Sequence, residues 1–242
     1  MGKVVLVTGA SRGIGRNIAY NLALDGYQVV ANYNNSAGKA QELKDELMKK
    51  DILIDIYKAD VSVSSEVKSM IDYVLGKFGR IDVLINNAGI SEEKLFTEIS
   101  DEDFDKMMKV NLYSAFYTSR EAIRTMIRDH SGCIINISSI YGISGGSCEV
   151  HYSIAKAGID GLTKSLAKEV GPSNIRVNSI APGAIDTDMN AYVTEEEWEE
   201  IIGDTPLEKK GQPIDITRCV KWLIEDEYTT GQVISPNGGM VI

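Results

Sequence analysis

Short apolar runs alternate with amphipathic segments along the whole chain of 242 residues. The apolar runs are rich in β-branched residues, as in "VVLV", "VLI" and "CIINI", and polar residues do not alternate within them. Continuous apolar strands of this kind are typical of a parallel sheet covered on both faces. The pattern predicts strands at 3–8, 28–32, 53–59, 83–86, 133–138, 176–180 and 232–235. It predicts helices at 13–25, 38–50, 64–78, 101–129, 152–170 and 214–224.

This alternation predicts one α/β domain over residues 1–242: a doubly wound parallel seven-stranded sheet with helices on both faces. No linker, repeat or low-complexity tract interrupts the sequence. The irregular segment is 184–211, which is acidic and contains a short helical pattern near 195–202. Ligands of such sheets bind at the carboxyl ends of the strands. We therefore expect 184–211 to form a substrate lid; the alternative is a plain surface excursion.

Composition and charge disfavour several classes of protein. A net charge of −10 without a visible basic face disfavours nucleic-acid binding. No apolar run approaches the length of a membrane span, and no secretion signal is recognisable, so we expect a cytoplasmic protein. Three separated cysteines without a C-x-x-C pair fit a reducing compartment, and the two histidines make a catalytic metal unexpected.

A glycine-rich stretch, "VTGASRGIG", lies between the first predicted strand and the first predicted helix. Its glycines, Gly9, Gly13 and Gly15, follow the spacing G-x-x-x-G-x-G rather than the G-x-G-x-x-G of the common dinucleotide fingerprint. Without Cβ atoms, the backbone N–H groups of such a turn approach an anion at the positive end of the helix dipole. The stretch therefore predicts a phosphate site, although flavodoxin-like and other phosphate-binding folds use similar turns.

Tyr152 and Lys156 are four residues apart in a predicted helix, so their side chains share one face. An ammonium beside a phenol lowers its pKa from about 10 towards neutrality, which predicts an acid/base group. Ser139, at a predicted strand end, lies thirteen residues before Tyr152. Its hydroxyl can hold a substrate carbonyl against the phenol. Ser138, one residue earlier, is interpreted as structural.

Other residues compete for these roles. Tyr73 and Lys77 repeat the Y-x-x-x-K spacing, but they lie within a helix away from any strand's carboxyl end, which indicates packing or surface. His151 adjoins Tyr152, but neighbouring residues at a helix start point in different directions. We interpret it as non-catalytic. Ser139 lacks a histidine partner and a G-x-S-x-G elbow, which disfavours a serine hydrolase.

Seven motifs, in order, resemble the short-chain dehydrogenase/reductase family. They are "TGASRGIG" at 8–15, Asp60 with Val61, "NNAG" at 86–89, Asn111 in "KVN", "NISS" at 136–139, Tyr152-x-x-x-Lys156, and Pro182-Gly183 followed by Thr187. The resemblance covers essentially the whole chain. It implies a Rossmann-type fold and hydride transfer between a nicotinamide and a carbonyl or alcohol carbon.

The resemblance also implies roles for individual residues. The catalytic group would be Asn111, Ser139, Tyr152 and Lys156, with Asn111 shaping a helix irregularity that holds a water and passes protons to the lysine. The cofactor contacts would be Gly9, Ser11, Arg12, Gly13, Ile14, Gly15, Asn32, Asp60, Val61, Asn87, Ala88, Gly89, Tyr152, Lys156, Pro182, Gly183, Ile185 and Thr187.

The choice of nicotinamide depends on the end of the second predicted strand. It reads "VVANYNNS", with Asn32 and no acid that would accept a ribose 2′-hydroxyl and repel a 2′-phosphate. Arg12, in the glycine turn, can bind a 2′-phosphate beside Asn32 and Ser36. The sequence therefore predicts NADP(H) as the cofactor.

Within the family, the chain is most similar to the 3-oxoacyl-[acyl-carrier-protein] reductases of bacterial fatty-acid synthesis. Shared stretches include "HYSIAKAGIDGLTKSLAKEV" and "TTGQVISPNGGMVI". The resemblance implies NADPH-dependent reduction of a 3-oxoacyl thioester on acyl carrier protein, by a homotetramer that assembles through helices 101–129 and 152–170 and the last strand. Alternatives are another carbonyl or alcohol substrate, such as acetoacetyl-CoA, a sugar, a steroid or a small ketone. A non-catalytic nucleotide-binding paralogue is disfavoured because the four catalytic positions are filled.

An acidic carrier protein would need a local basic patch on this acidic chain. Five cations at helical spacing are candidates: Arg120, Arg124, Arg128, Lys164 and Lys168. They could instead solvate exposed helix faces or lie in a subunit interface.

Replacing Arg12 with alanine should lower kcat/KM for NADPH by about tenfold while leaving that for NADH nearly unchanged, because a charge-assisted bond to the 2′-phosphate is lost. Steady-state kinetics with both nucleotides measures the ratio. An unchanged preference would show that Arg12 does not select the cofactor.

Overall fold

Seven parallel strands form one sheet in the computed structural model, which describes residues 2–242. The strands are Val4–Val7 (β1), Gln28–Tyr33 (β2), Asp55–Lys58 (β3), Val83–Asn86 (β4), Gly132–Ile137 (β5), Ile175–Ile180 (β6) and Val233–Ile234 (β7). Their order across the sheet is β3-β2-β1-β4-β5-β6-β7. The chain winds outwards from β1 in one direction and from β4 in the other, so a ligand crevice is expected between their carboxyl ends.

Helices cover both faces of the sheet. They are Gly13–Leu24 (α1), Ala37–Met48 (α2), Ser64–Phe78 (α3), Asp101–Met108 (α4), Ser114–Asp129 (α5), Ile140–Ser144 (α6), Val150–Val170 (α7), Glu195–Gly203 (α8) and Pro213–Glu225 (α9). In the described chain, none of these helices combines the length and apolarity needed to cross a membrane. The predicted doubly wound α/β fold is confirmed.

Successive residues of each strand supply the two halves of the core. Val5 and Val7 pack with α1, α2 and α9 on one face, whereas Val4 and Leu6 pack with α3, α5 and α7 on the other. All four side chains are almost fully buried. A strand whose two faces are both covered needs apolar residues at every position, which explains the continuous apolar runs.

The predicted single helix at 101–129 is wrong, because a π-helical turn, Lys109–Tyr113, separates α4 from α5. Asn111 explains the wider turn: its Nδ2 donates to the carbonyl of Ile90 at 3.0 Å, and its Oδ1 accepts from the Ile90 N–H at 3.1 Å. These bonds draw Asn111 towards the loop after β4. The irregularity expected at Asn111 is therefore present.

The sequence pattern also missed α6, which spans five residues and is too short for a helical periodicity. It begins after Ser139, whose Oγ accepts from the Tyr141 N–H at 3.1 Å and caps the helix. Strands β3 and β7 are shorter than predicted, starting at Asp55 and Val233. Such shifts are confined to element ends, where sequence patterns are weakest.

A buried chain of polar side chains joins four elements beneath the carboxyl edge of the sheet. Thr118 Oγ1 on α5 donates to Asn86 Oδ1 on β4 at 2.6 Å, and Asn86 Nδ2 donates to Asn136 Oδ1 on β5 at 2.8 Å. Asn136 Nδ2 then donates to Thr163 Oγ1 on α7 at 2.8 Å. All four residues are buried and have no access to water, so these side chains satisfy one another's hydrogen-bonding groups.

Replacing Asn136 with alanine should lower the free energy of unfolding by about 2 kcal/mol or more, because it leaves the buried amide of Asn86 short of an acceptor. Urea denaturation of the cofactor-free protein measures the change. Asn35→Ala, at an exposed position, serves as the control and should change stability by less than about 0.5 kcal/mol. Equal effects of the two variants would contradict a structural role for the buried chain.

Candidate active site

The glycine turn leaves the start of α1 open to a ligand. Gly9 and Gly13 have φ values of 63° and 54°, in the left-handed region that glycine adopts without strain. Arg12, the residue before α1, has an exposed side chain that makes no capping hydrogen bond. The amide N–H groups of the first turn therefore remain available to an anion.

The turn is fastened to the end of β4. Thr8 Oγ1 accepts from the N–H groups of Asn87 and Ala88 at 3.0 and 3.1 Å, and Asn87 Nδ2 donates to the carbonyls of Thr8 and Gly9 at 3.0 and 3.1 Å. A methyl group at Gly9 would lie 2.8 Å from Ala88 Cα. Glycine is thus required for the two loops to meet at the point where the sheet changes direction.

Asn32 has a structural use that the sequence did not indicate. Its side chain is buried; Oδ1 accepts from the Gly9 N–H at 3.2 Å and Nδ2 donates to the Ala59 carbonyl at 3.0 Å. These bonds brace the ends of β1, β2 and β3. The contact of Asn32 with a cofactor remains a prediction.

Two further predicted contacts lie at the end of β3. Asp60 Oδ1 accepts from the backbone N–H and hydroxyl of Ser62 at 2.9 and 2.6 Å, which shapes the turn into α3. Val61 is buried beside it. Asp60 is partly exposed at the same sheet edge as the glycine turn, where the adenine contact was expected.

The segment 184–211, the expected lid, is closed at its base. The Gly211 N–H donates to the Ala184 carbonyl at 3.0 Å, and the Asp186 N–H donates to the Gly211 carbonyl at 2.9 Å. Helix α8 lies inside the segment and buries Trp198, with Lys210 Nζ 4.5 Å from its ring centroid. The segment follows Pro182 and Gly183 at the carboxyl end of β6 and includes the predicted contacts Ile185 and Thr187. Its role as a lid remains a prediction.

Three side-chain neighbours connect the expected lid to the rest of the site. Thr187 lies beside the glycine turn: a methyl group at Gly13 would be 3.6 Å from its Cβ. Asp188 forms an ion pair with Lys39 on α2, and Tyr192 donates to Glu93 Oε1 at 3.0 Å. All of these polar groups are at least partly exposed, so each bond contributes little free energy.

Tyr152 and Lys156 lie on α7, one turn apart, and are 9% and 4% exposed. Lys156 Nζ is 5.4 Å from the Tyr152 ring centroid and donates to the Ile137 carbonyl at the end of β5 at 2.8 Å. Ser139, two residues beyond that strand, is also buried, and its hydroxyl lies near enough to Tyr152 to lower the pKa of that phenol. The structure therefore brings Ser139, Tyr152 and Lys156 together.

Asn111 joins this group through the loop after β4. A methyl group at Gly89 would lie 2.7 Å from Asn111 Oδ1 and 3.6 Å from Lys156 Nζ. The π-helical turn thus places Asn111 beside the lysine, and Gly89 leaves the space between them open. All four predicted catalytic residues converge at the carboxyl edge of β4 and β5.

The model of one protein family, short chain dehydrogenase, matches residues 3–198. The chain belongs to this family. It is an oxidoreductase that acts on CH–OH and C=O groups with a nicotinamide cofactor.

Several reductases are similar to this short-chain dehydrogenase over nearly their whole length. The 3-oxoacyl-[acyl-carrier-protein] reductase FabG of Staphylococcus aureus is 42% identical over 242 residues, which cover 99% of this chain and 98% of that protein. Proteins of the same name from Thermotoga maritima and Aquifex aeolicus are 38% and 40% identical and are covered over 98% and 97% of their lengths.

The site fits the nicotinamide nucleotide of the family. The glycine turn offers free amide N–H groups to a diphosphate, and Gly89 leaves open the space beside Lys156 and Asn111, which a side chain would fill. These features suit an anionic dinucleotide whose reactive end would lie next to Tyr152 and Lys156.

Burial governs the acid/base properties of the dehydrogenase centre. It raises the pKa of Tyr152 above its ordinary 10.0, with the charge of Glu149 adding to the rise and the Ser139 hydroxyl opposing it. It lowers the pKa of Lys156 to about 8. The pKa of Tyr152 therefore moves in the direction opposite to the expected fall towards neutrality, because burial removes the hydration of the phenolate. Burial thus favours the protonated, phenol form of Tyr152.

The competing residues have structural contacts. Ser138 Oγ donates to the Lys156 carbonyl at 3.2 Å, and the Tyr73 ring packs on Tyr57 with centroids 4.8 Å apart. Their interpretation as structural is confirmed. His151 is buried, and neither of its ring nitrogens has a hydrogen-bond partner within residues 2–242, so it does not bond the Tyr152 hydroxyl.

Glu149 is a residue that the sequence analysis missed. It precedes α7 by one residue, is 5% exposed and affects the pKa of Tyr152. The available signal was its spacing of three residues from Tyr152, which is one helical turn.

Tyr152→Phe should lower kcat by about 10²- to 10⁴-fold while leaving the Kd of the nicotinamide nucleotide within about twofold, because only the proton donor is lost. Turnover assays and nucleotide fluorescence titration measure the two quantities. Tyr73→Phe is the matched control, since Tyr73 has the same Y-x-x-x-K spacing, and it should retain activity. A similar loss in both variants would contradict the assignment of Tyr152.

Proposed function

We propose that this short-chain dehydrogenase reduces 3-oxoacyl thioesters carried by acyl carrier protein to 3-hydroxyacyl thioesters, using NADPH, in fatty-acid synthesis. The observation that carries the proposal is the convergence of Tyr152, Ser139 and Lys156 at the carboxyl edge of β4 and β5, where a phenol can donate a proton to a carbonyl oxygen. The names of relatives that align over 97% or more of their lengths at 38–42% identity support the substrate class.

The chain's own residues would divide the work as follows. Ser139 Oγ–H donates to the carbonyl oxygen of the substrate and orients it against Tyr152. A nicotinamide nucleotide held by the glycine turn, with its ring beside Lys156, would supply the hydride for the carbonyl carbon. Tyr152 donates its phenolic proton to the oxygen, so that a C–OH group forms. Lys156, held by the Ile137 carbonyl, stabilises the phenolate left on Tyr152, and Asn111 fixes the loop that borders both.

The preference for NADPH rests on cations beside the glycine turn. Lys39 and Arg12 both lower the pKa of Asp188, so they approach the same carboxylate from α2 and from the turn. Arg12 is the cation that would bind a 2′-phosphate, because Lys39 is already paired with Asp188. The absence of an acid at Asn32 removes the repulsion that an NAD-specific site would exert.

The three arginines proposed for carrier-protein docking already form ion pairs with acidic residues of α5. Arg120 and Arg124 pair with Glu121 at 3.2 and 3.3 Å, and Arg128 pairs with Asp129 at 2.9 Å. Three arginines thus share two acidic partners within α5, which leaves the helix a net charge of +1. Acyl carrier protein as the carrier is therefore supported by the relatives more than by this patch.

We further propose a homotetramer that uses α5, α7 and the last strand. An apolar groove between the two helices is lined by Leu112, Tyr113, Phe116, Tyr117 and Leu162. Tyr113 and Phe116 are 41% and 46% exposed in the single chain, which leaves large aromatic surface to be covered.

Purified protein with NADPH should reduce 3-oxoacyl thioesters, with kcat/KM higher for the acyl-carrier-protein form than for the CoA form and lowest for sugars, steroids and simple ketones. Loss of reduced-nicotinamide absorbance measures each rate. If no 3-oxoacyl thioester is turned over, the proposal is wrong. If another class of carbonyl compound has a higher kcat/KM, that class is the substrate instead.

Phe116→Asp should shift the assembly from four copies to fewer, because it places a charge in the apolar groove. Light scattering coupled to gel filtration measures the mass. Met48→Asp, at an exposed position at the end of α2, is the matched control and should leave the mass unchanged. A wild-type protein that is already monomeric would contradict the tetramer.

A further inference from the structure

An ion pair joins two segments that leave the sheet on opposite sides of the glycine turn. Lys39 lies in the first turn of α2, which follows β2, and its partner Asp188 lies eight residues beyond the end of β6. In the sheet, the strands β1, β4 and β5 separate β2 from β6. The pair therefore spans the carboxyl ends of β1 and β4, where the sheet changes direction and a dinucleotide is expected to bind.

The neighbours of Asp188 place this pair at the outer surface of the glycine turn. Asp188 follows Thr187, and a methyl group at Gly13 would lie 3.6 Å from the Thr187 Cβ. The ammonium of Lys39 and, from the turn itself, the guanidinium of Arg12 lower the pKa of Asp188. The Lys39 and Asp188 side chains are 49% and 45% exposed, so they face solvent. A diphosphate bound to the amide N–H groups at the start of α1 would therefore lie beneath the ion pair.

The ion pair can open without disturbing the fold. Exposed pairs contribute little free energy, because water and salt screen both charges. The backbone bonds among Ala184, Asp186 and Gly211 hold the base of the segment 184–211, whereas Asp188 lies within that segment. Separation of Lys39 from Asp188 therefore leaves the base of the segment, β6 and α9 in place.

We propose that Lys39 and Asp188 form a clasp that closes over the bound nicotinamide nucleotide and slows both its entry and its release. The clasp opens to admit the nucleotide and re-forms over it. Both are positioning residues, since neither is placed at the reacting atoms. The inference depends on the nicotinamide cofactor of the family and goes beyond the proposed function, because it requires neither a thioester nor a 2′-phosphate.

A clasp and a simple charge effect predict different results for the two partners. The nucleotide is an anion, so charges that acted on it separately would have opposite effects: loss of Lys39 would weaken binding, and loss of Asp188 would strengthen it. In a clasp each residue acts through the other, so the loss of either one removes the same barrier. Both losses should then raise the rate constants of association and dissociation together, and Kd should change less than either rate constant.

Stopped-flow fluorescence of NADPH and NADH binding measures both rate constants in the wild type, K39M, D188N and the double variant K39M/D188N. Each single variant should release either nucleotide about twofold to fivefold faster, the range expected for loss of an exposed ion pair. The double variant should release it no faster than the single variants, because the two residues share one interaction. K39D/D188K, which exchanges the two charges, should restore slow release.

A second lysine–aspartate pair provides the matched control. Lys221 on α9 and Asp25, which follows the end of α1, are 2.7 Å apart. Because α1 begins at the carboxyl edge of the sheet, its end and this pair lie towards the opposite edge, away from the crevice. K221M and D25N remove the same charges as K39M and D188N and should leave both rate constants unchanged. Thermal unfolding without nucleotide should give similar melting temperatures for all the variants, since every substituted side chain is partly exposed.

Release from K39M and D188N at the wild-type rate would overturn the proposal. So would slower release from D188N, which would show that the two charges act on the nucleotide separately. An effect of K39M confined to NADPH would also overturn it, by assigning Lys39 to the 2′-phosphate. These rate constants are measured without a thioester, so a failure of the proposed reduction would leave the test of the clasp unaffected.

Discussion

Asn86 and Asn136 share a hydrogen bond of 2.8 Å just below the carboxyl ends of the two central strands, and the site is built outwards from it. Gly89 follows β4 and Ser139 follows β5, so the separation of these strand ends sets the separation of the two loops. Thr118 extends this chain of hydrogen bonds to α5, the helix that follows Asn111. Thr163 extends it to α7, the helix that carries Lys156. A polar chain with fixed donors and acceptors permits one register, which apolar packing alone would specify less tightly.

Exclusion of water then determines what the assembled groups can do. The buried ammonium of Lys156 has lost most of its hydration and donates instead to the Ile137 carbonyl. Burial lowers its pKa to about 8. Tyr152 keeps its proton for the same reason. One physical cause thus shifts the two pKa values in opposite directions, because burial disfavours the charged form of each group, an ammonium in one case and a phenolate in the other.

The sequence predicted the fold and the gathering of the catalytic residues because both depend on periodicity and on position relative to strand ends. Tyr152 could be separated from Tyr73 in this way, although their motifs are identical. Periodicity alone predicted one continuous helix at 101–129; the irregularity at Asn111 was expected only from the family resemblance, because it depends on a contact between Asn111 and the distant Ile90. The sequence did not show that the side chain of Asn32 would form hydrogen bonds to the backbone. It also did not show that the pKa of Tyr152 would be raised, because residue spacing identifies the neighbours of a side chain but not how much water reaches it.

The base of the segment 184–211 consists of two backbone hydrogen bonds between residues that are far apart in sequence, Ala184 and Asp186 on one side and Gly211 on the other. Backbone bonds of this kind do not depend on the side chains of the residues between their two ends. The stretch between them can therefore lengthen, shorten or change composition over evolution without displacing β6 or α9. Such modular construction lets descendants of one scaffold diversify at this segment while Ser139, Tyr152 and Lys156 stay in place.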